Sequence, residues 1–143
     1  MSGYEIVHTV TDYYDGPRVG LADYNKQPHL YESLWDNLLN NYADSFNLFP
    51  VNIAAFNLAM ESWAIWRKYE RALHRGKTTP DHHPALPADR NRYETIEDLL
   101  KIELNKSGIT PIVAYGKFDV INNSNYDGIG IRSLQVKWDI VRC

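Results

Sequence analysis

The chain has 143 residues, 44% hydrophobic and 23% charged, with a net charge of −3. That size and composition describe one globular domain over residues 1–143, able to bury a core without a disulfide or structural metal. Ten Tyr and four Trp argue against disorder, the acidic balance gives no general reason to bind nucleic acid, and the lone Cys143 excludes an intramolecular disulfide and a Cys-built zinc site.

Residues 4–11 alternate, with Tyr4, Ile6, His8 and Val10 on one side, and predict a first strand. Turn chemistry over residues 12–17 leads to a second strand at 18–24, and Asn25-Lys26-Gln27-Pro28 to a third at 29–35, completing an antiparallel meander. Residues 36–50, rich in Asn, read as mostly irregular. From Val51 the period becomes helical: Ile53, Phe56, Met60 and Trp63 make one stripe, Leu58, Ile65, Tyr69 and Leu73 another, and Gly76 is placed to end the helix. Three prolines make residues 77–87 a loop, and 89–105 a second helix whose inner face is Tyr93, Ile96, Leu100 and Leu104, with Gly108 beyond its end. Strands at 112–121 and 129–141 follow, joined by a loop over 122–128. In the last, Leu134, Val136, Trp138 and Ile140 alternate with polar residues. The expected fold class is α+β, an antiparallel sheet in the order βββ-αα-ββ with both helices packed on one face.

The charge is uneven, −6 over residues 1–66 and +3 over 67–143, with Arg67, Lys68, Arg71, Arg75 and Lys77 crowded at one helix end. Helix-end chemistry accounts for that cluster, and complementary faces meeting in a homodimer are the sharper reading. Residues 1–5 have neither a basic nor an apolar leader pattern. The longest stretch free of Asp, Glu, Lys and Arg, residues 45–60, carries Pro50. A cytoplasmic protein with no membrane segment is therefore expected.

Several residues suit chemistry. Asp15-Gly16-Pro17-Arg18 makes a rigid turn presenting an anion and a cation. Arg18 suits a carboxylate or phosphate, although a turn with Asp15 capping backbone N–H groups and Arg18 paired to a neighbouring acid is the preferred reading. His29, Tyr31 and Ser33 share one face of the third strand. His29 becomes a general base if Asp12 or Asp23 reaches it, against the preferred reading of a hydrogen-bonded structural histidine. Trp63 and Trp66, with Glu61, Arg67 and Glu70 beside them, can line a pocket for a flat ligand, though aromatic residues at helical spacing are more often core. Glu70 and His74 face the same way one turn apart. Asp81-His82-His83 has metal-ligand residue types but lacks a third ligand nearby in sequence, so no metal or other cofactor is expected. Nucleophile elbows, phosphate loops and zinc-protease motifs are absent from the sequence.

The segments Tyr14-Asp15-Gly16-Pro17-Arg18-x-Gly20-x-Ala22-x-Tyr24, Pro28-His29-x-Tyr31-Glu32, Glu61-x-Trp63-x-x-Trp66, His74-x-Gly76 and His83-Pro84-Ala85-Leu86-Pro87 resemble a set of small bacterial proteins of uncharacterised activity. The resemblance covers residues 12–105. It implies a shared fold and transfers no catalytic residue. The expected function is non-catalytic binding of a protein partner or small ligand through an aromatic-rich surface. The alternative is a small hydrolase using His29, or His74, His82 and His83, with an acidic partner.

Overall fold

Strands form here wherever apolar side chains recur at every second position, and one such stretch is hidden among asparagines. The computed structural model describes residues 3–105, 110–121, 126 and 128–141. The chain divides into two compact units: Met1–Val51 with Ile109–Asn125 and Ile131–Cys143, and Asn52–Gly108 with Tyr126–Gly130.

The first unit is a seven-stranded antiparallel sheet: β1 Glu5–Ile6, β2 Asp12–Tyr13, β3 Pro17–Tyr24, β4 Gln27–Asp36, β5 Asn41–Pro50, β6 Ile112–Val120 and β7 Leu134–Ile140. Their order across the sheet is β1-β7-β6-β5-β4-β3-β2. Both edges belong to one short stretch of chain, so the sheet closes. Glu5 and Ile6 pair with Gln135 and Val136 of β7, Val7 bridges to Ala22, and Thr11 N–H donates to Val19 O at 2.8 Å. The expected single strand over 4–11 is thus corrected. His8 and Thr9 both donate to Leu21 O, at 2.8 and 3.1 Å. That bulge breaks the alternation that put Tyr4, Ile6, His8 and Val10 on one side. A short bent segment shared between two partners closes the barrel and leaves no long open edge.

Residues 36–50 were expected to be irregular, and β5 corrects that. Phe46 and Leu48 alternate with Ser45 and Asn47, and both apolar side chains are buried. Asn and Asp are poor strand formers, yet pairing with β4 and β6 on both sides overrides local propensity. Five strands therefore precede the helices where three were expected. The Asn25-Lys26 turn is tight, with both residues at positive φ (51° and 62°), and the Glu5 carboxylate accepts from both backbone N–H groups.

The barrel interior alternates small and large side chains. Gly20, Ala22, Ala114 and Gly116 face Tyr31, Phe46, Phe118 and Trp138, whose rings pack mostly edge-on or tilted at 5.4–6.1 Å. A Cβ on Gly116 would lie 2.6 Å from Trp138. The phenol of Tyr31, fully buried, donates to Thr9 O at 2.9 Å, and burial pushes its pKa up beyond the titratable range. Trp138 Nε1 donates to Asp23 O at 2.9 Å.

The second unit holds α1 Ile53–His74 and α2 Arg90–Asn105, with short 3₁₀ turns at Pro80–His82 and Pro87–Asp89. Asn52 caps α1 by accepting from Ala55 N–H at 2.7 Å. Gly76 ends it: Gly76 N–H reaches Leu73 O and Lys77 N–H reaches Ala72 O, the paired bonds of a Schellman cap. Ile65, Ala85 and Ile96 form this unit's own core, with Leu58 and Tyr93 against it. The two helices thus hold a hydrophobic cluster of their own within this unit. Ile53, placed by periodicity on an apolar stripe, is 72% exposed because it opens the first turn. Gly108 and most of the loop after β6 lie outside the described residues.

Glu61 on α1 and Arg92 on α2 make a bidentate pair at 2.6 and 2.7 Å. The Arg92 hydrogen bonds hold the Glu61 carboxyl below its ordinary value of 4.5. A lowered folded pKa means the contribution is complete above that value and is lost as pH falls through the folded one. Arg92→Gln is therefore expected to flatten the fall in stability below pH 4.5, measured by urea unfolding across a pH series. An unchanged acid limb would show that the pair contributes nothing.

Candidate functional site

The interior aromatics fill the middle of the barrel, and at the end where β3 begins they leave a cavity of about 450 Å³. That is the size of a small-ligand site, and barrel mouths are common places for one. Phe46, Phe118, Val120, Ile131 and Leu134 give it an apolar wall. Among the described residues, four charged side chains also line it: Asp15, Arg18, Asp44 and Arg132.

Two local irregularities bring Arg18 and its neighbours here. After β2 the chain turns through Asp15 and Gly16, both at positive φ (53° and 129°), and Pro17 starts β3. Between the pairs Ser33–Phe46 and Trp35–Tyr42, β4 spends one residue and β5 three, Ala43 to Ser45. That bulge aims Ala43 O at Arg18 and sets Asp44 on the cavity.

Arg18 is only 7% exposed. Its Nε donates to Tyr14 O at 2.7 Å and its Nη2 to Asp15 O at 3.3 Å. Nη1 makes two long contacts, to Ser33 Oγ at 3.4 Å and Ala43 O at 3.5 Å. The guanidinium also lies 5.0 Å from the centre of the Tyr42 ring. Among the described residues it forms no ion pair. The preferred expectation, Arg18 paired to a neighbouring acid, is therefore corrected. The acids of its own turn offer a backbone carbonyl, and the Asp15 carboxylate stays exposed. A buried guanidinium satisfied by neutral acceptors keeps its full charge in a low-dielectric setting, which strengthens its attraction for an anion entering the cavity.

The other expected site residues divide between the two units. Tyr31 and His29 face the barrel interior on β4, and Tyr31 belongs to the aromatic core. His29 is 7% exposed, its Nδ1 is 2.8 Å from Gln27 O, and its ring meets Tyr24 edge-on. Asp23 pairs with His8 at 2.8 Å instead, because the bulge at His8 and Thr9 brings that histidine against β3. His29 makes no ion pair with Asp12 or Asp23 among the described residues, which leaves it as the hydrogen-bonded structural histidine.

Trp63, Trp66, Arg67 and Glu70 lie in the helical unit. Trp63 and Trp66 are half-buried, and Trp66 stacks on Tyr69 at 5.8 Å with His83 edge-on at 5.3 Å. Arg67 is ion-paired with Glu70 and donates from Nη2 to Ile129 O at 3.0 Å. A Cβ on Gly130 would collide with both side chains, so the pair clamps residues 129–130. His82 and His83 turn their carbonyls to Arg90 Nη2, both at 3.1 Å. Among the described residues no three His, Cys, Asp or Glu side chains are grouped to hold a metal, and no helix is long and apolar enough to cross a membrane.

Sequence reasoning missed Tyr42, Asp44, Phe46, Phe118 and Arg132. Phe46 was recoverable from its alternation with Leu48; Arg132, outside any strand, carried no local signal. Family models, curated proteins and solved structures compared with this chain returned no match.

Proposed function

We propose that the chain is a non-catalytic binding module that takes a small anionic ligand with an apolar body into the mouth of the barrel. Arg18 receives the anion, and Phe46, Phe118 and Leu134 cover the apolar part. The observation that carries this reading is a buried Arg18 without a carboxylate partner among the described residues, lining a cavity with an apolar wall. Burying a charge is unfavourable unless something offsets it, and an anionic ligand completes what four neutral acceptors begin.

Arg18→Met tests it. The substitution removes a desolvated charge together with its hydrogen bonds, so a cooperative thermal transition of the variant is established first. In the unaltered protein, phenylacetate at about ten times its Kd should stabilise by about 1.4 kcal/mol, seen as a rise in Tm. The variant should lose that rise while remaining folded. An equal rise in both proteins would show that Arg18 takes no part.

A further inference from the structure

We infer that the barrel-mouth site selects a carboxylate monoanion and turns away a phosphate dianion. This rests on the anion-site reading above and adds a charge limit to it.

The donor inventory is the first reason. A guanidinium has five N–H groups. Nε–H is spent on Tyr14 O, one Nη2–H on Asp15 O, and the Nη1 pair on two long contacts at 3.4 and 3.5 Å. One Nη2–H is unassigned, and the weak Nη1 contacts are the ones a ligand can displace. The unassigned Nη2–H and a neighbouring Nη1–H present the two-pronged fork that the two oxygens of a carboxylate fit.

The charge lining the cavity is the second. Asp15 and Asp44 stand on the same cavity as Arg18, and each is adjacent in the chain to, or is itself, a residue whose carbonyl Arg18 holds. With Arg132 the four charged side chains sum to zero. A monoanion is then attracted by the buried cation and repelled once by each exposed carboxylate. A dianion doubles the attraction and the repulsion alike, whereas its desolvation penalty rises roughly as the square of its charge and finds no second buried cation to offset it among the described lining residues.

Phenylacetate and benzyl phosphate share one aryl group and differ in charge at about pH 8, where an alkyl phosphate is a dianion. Each is titrated into ¹⁵N-labelled protein, with uncharged phenylacetamide as the third ligand, following the amide signals of Gly116, Phe118 and Leu134. Phenylacetate is expected to bind at least about tenfold more tightly than benzyl phosphate, and phenylacetamide more weakly than phenylacetate by a similar factor. Asp44→Asn, at an exposed position that leaves the fold intact, should improve benzyl phosphate by about fivefold and phenylacetate by less. Benzyl phosphate binding as tightly as phenylacetate, or Asp44→Asn leaving both affinities unchanged, overturns the charge limit and leaves the anion site standing. Absence of shifts with either anion, equal binding of phenylacetamide, or shifts that persist in Arg18→Met overturns the anion site as well.

Discussion

Gly20→Ala is expected to destabilise the barrel by about 3–5 kcal/mol, combining overpacking with a broken buried hydrogen bond. An added Cβ would stand 2.2 Å from the Thr9 carbonyl oxygen and 2.6 Å from the Tyr31 hydroxyl. The first of these is main chain and cannot rotate away. The N-terminal segment would have to lift off β3, and that segment is what joins β3 to β7. Tyr31→Phe isolates part of the effect. It keeps the ring and removes the O–H that reaches Thr9 O, leaving a buried carbonyl unsatisfied for about 1–2 kcal/mol. Denaturant unfolding of both variants separates the terms. A Gly20→Ala protein within about 1 kcal/mol of the original would mean that the N-terminal segment does not press on β3.

The second large effect is expected at Tyr69. Tyr69→Ala should cost about 3–5 kcal/mol, and Trp66→Ala and Trp63→Ala no more than about half of that. Size alone ranks the tryptophans first, and on the sequence they were expected as core. Burial reverses the order. Tyr69 is fully buried, its hydroxyl donates to Thr79 O at 2.9 Å, and its ring packs against both Trp66 and His83 at 5.8 Å. Both tryptophans are only partly buried, so truncating them leaves less cavity than truncating a fully buried ring. Thermal unfolding of the three variants gives the ranking directly. Equal losses at Trp66 and Tyr69 would place Trp66 in the core after all.

Much of the local structure was legible in the residues. Leu134, Val136, Trp138 and Ile140 alternate over β7, and Tyr31 with His29 marks the inward face of β4. Gly76 announced the end of α1, and a turn was readable at Asn25-Lys26-Gln27-Pro28, of which the structure uses the first two residues. For the candidate site, Asp15 and Arg18 stood out as a charged turn. These features depend on neighbours a few residues away, so side-chain periodicity and backbone preference specify them.

What the tertiary structure alone decided is non-local. Nothing within residues 4–13 says that their first part pairs with β7 and their second with β3. The alternation of β5 was masked by its polar residues until two neighbouring strands supplied the missing pairing. Arg67 and Glu70 looked available for a ligand, and only the approach of residues 129–130 shows them spent on each other and on the backbone. Arg18 looked ready to pair with an acid, and only the fold shows it held by the carbonyls of its own turn and of the β5 bulge, beside a cavity with one apolar wall. Periodicity tells which way a side chain faces, whereas its partner there is set by chain closure over more than a hundred residues.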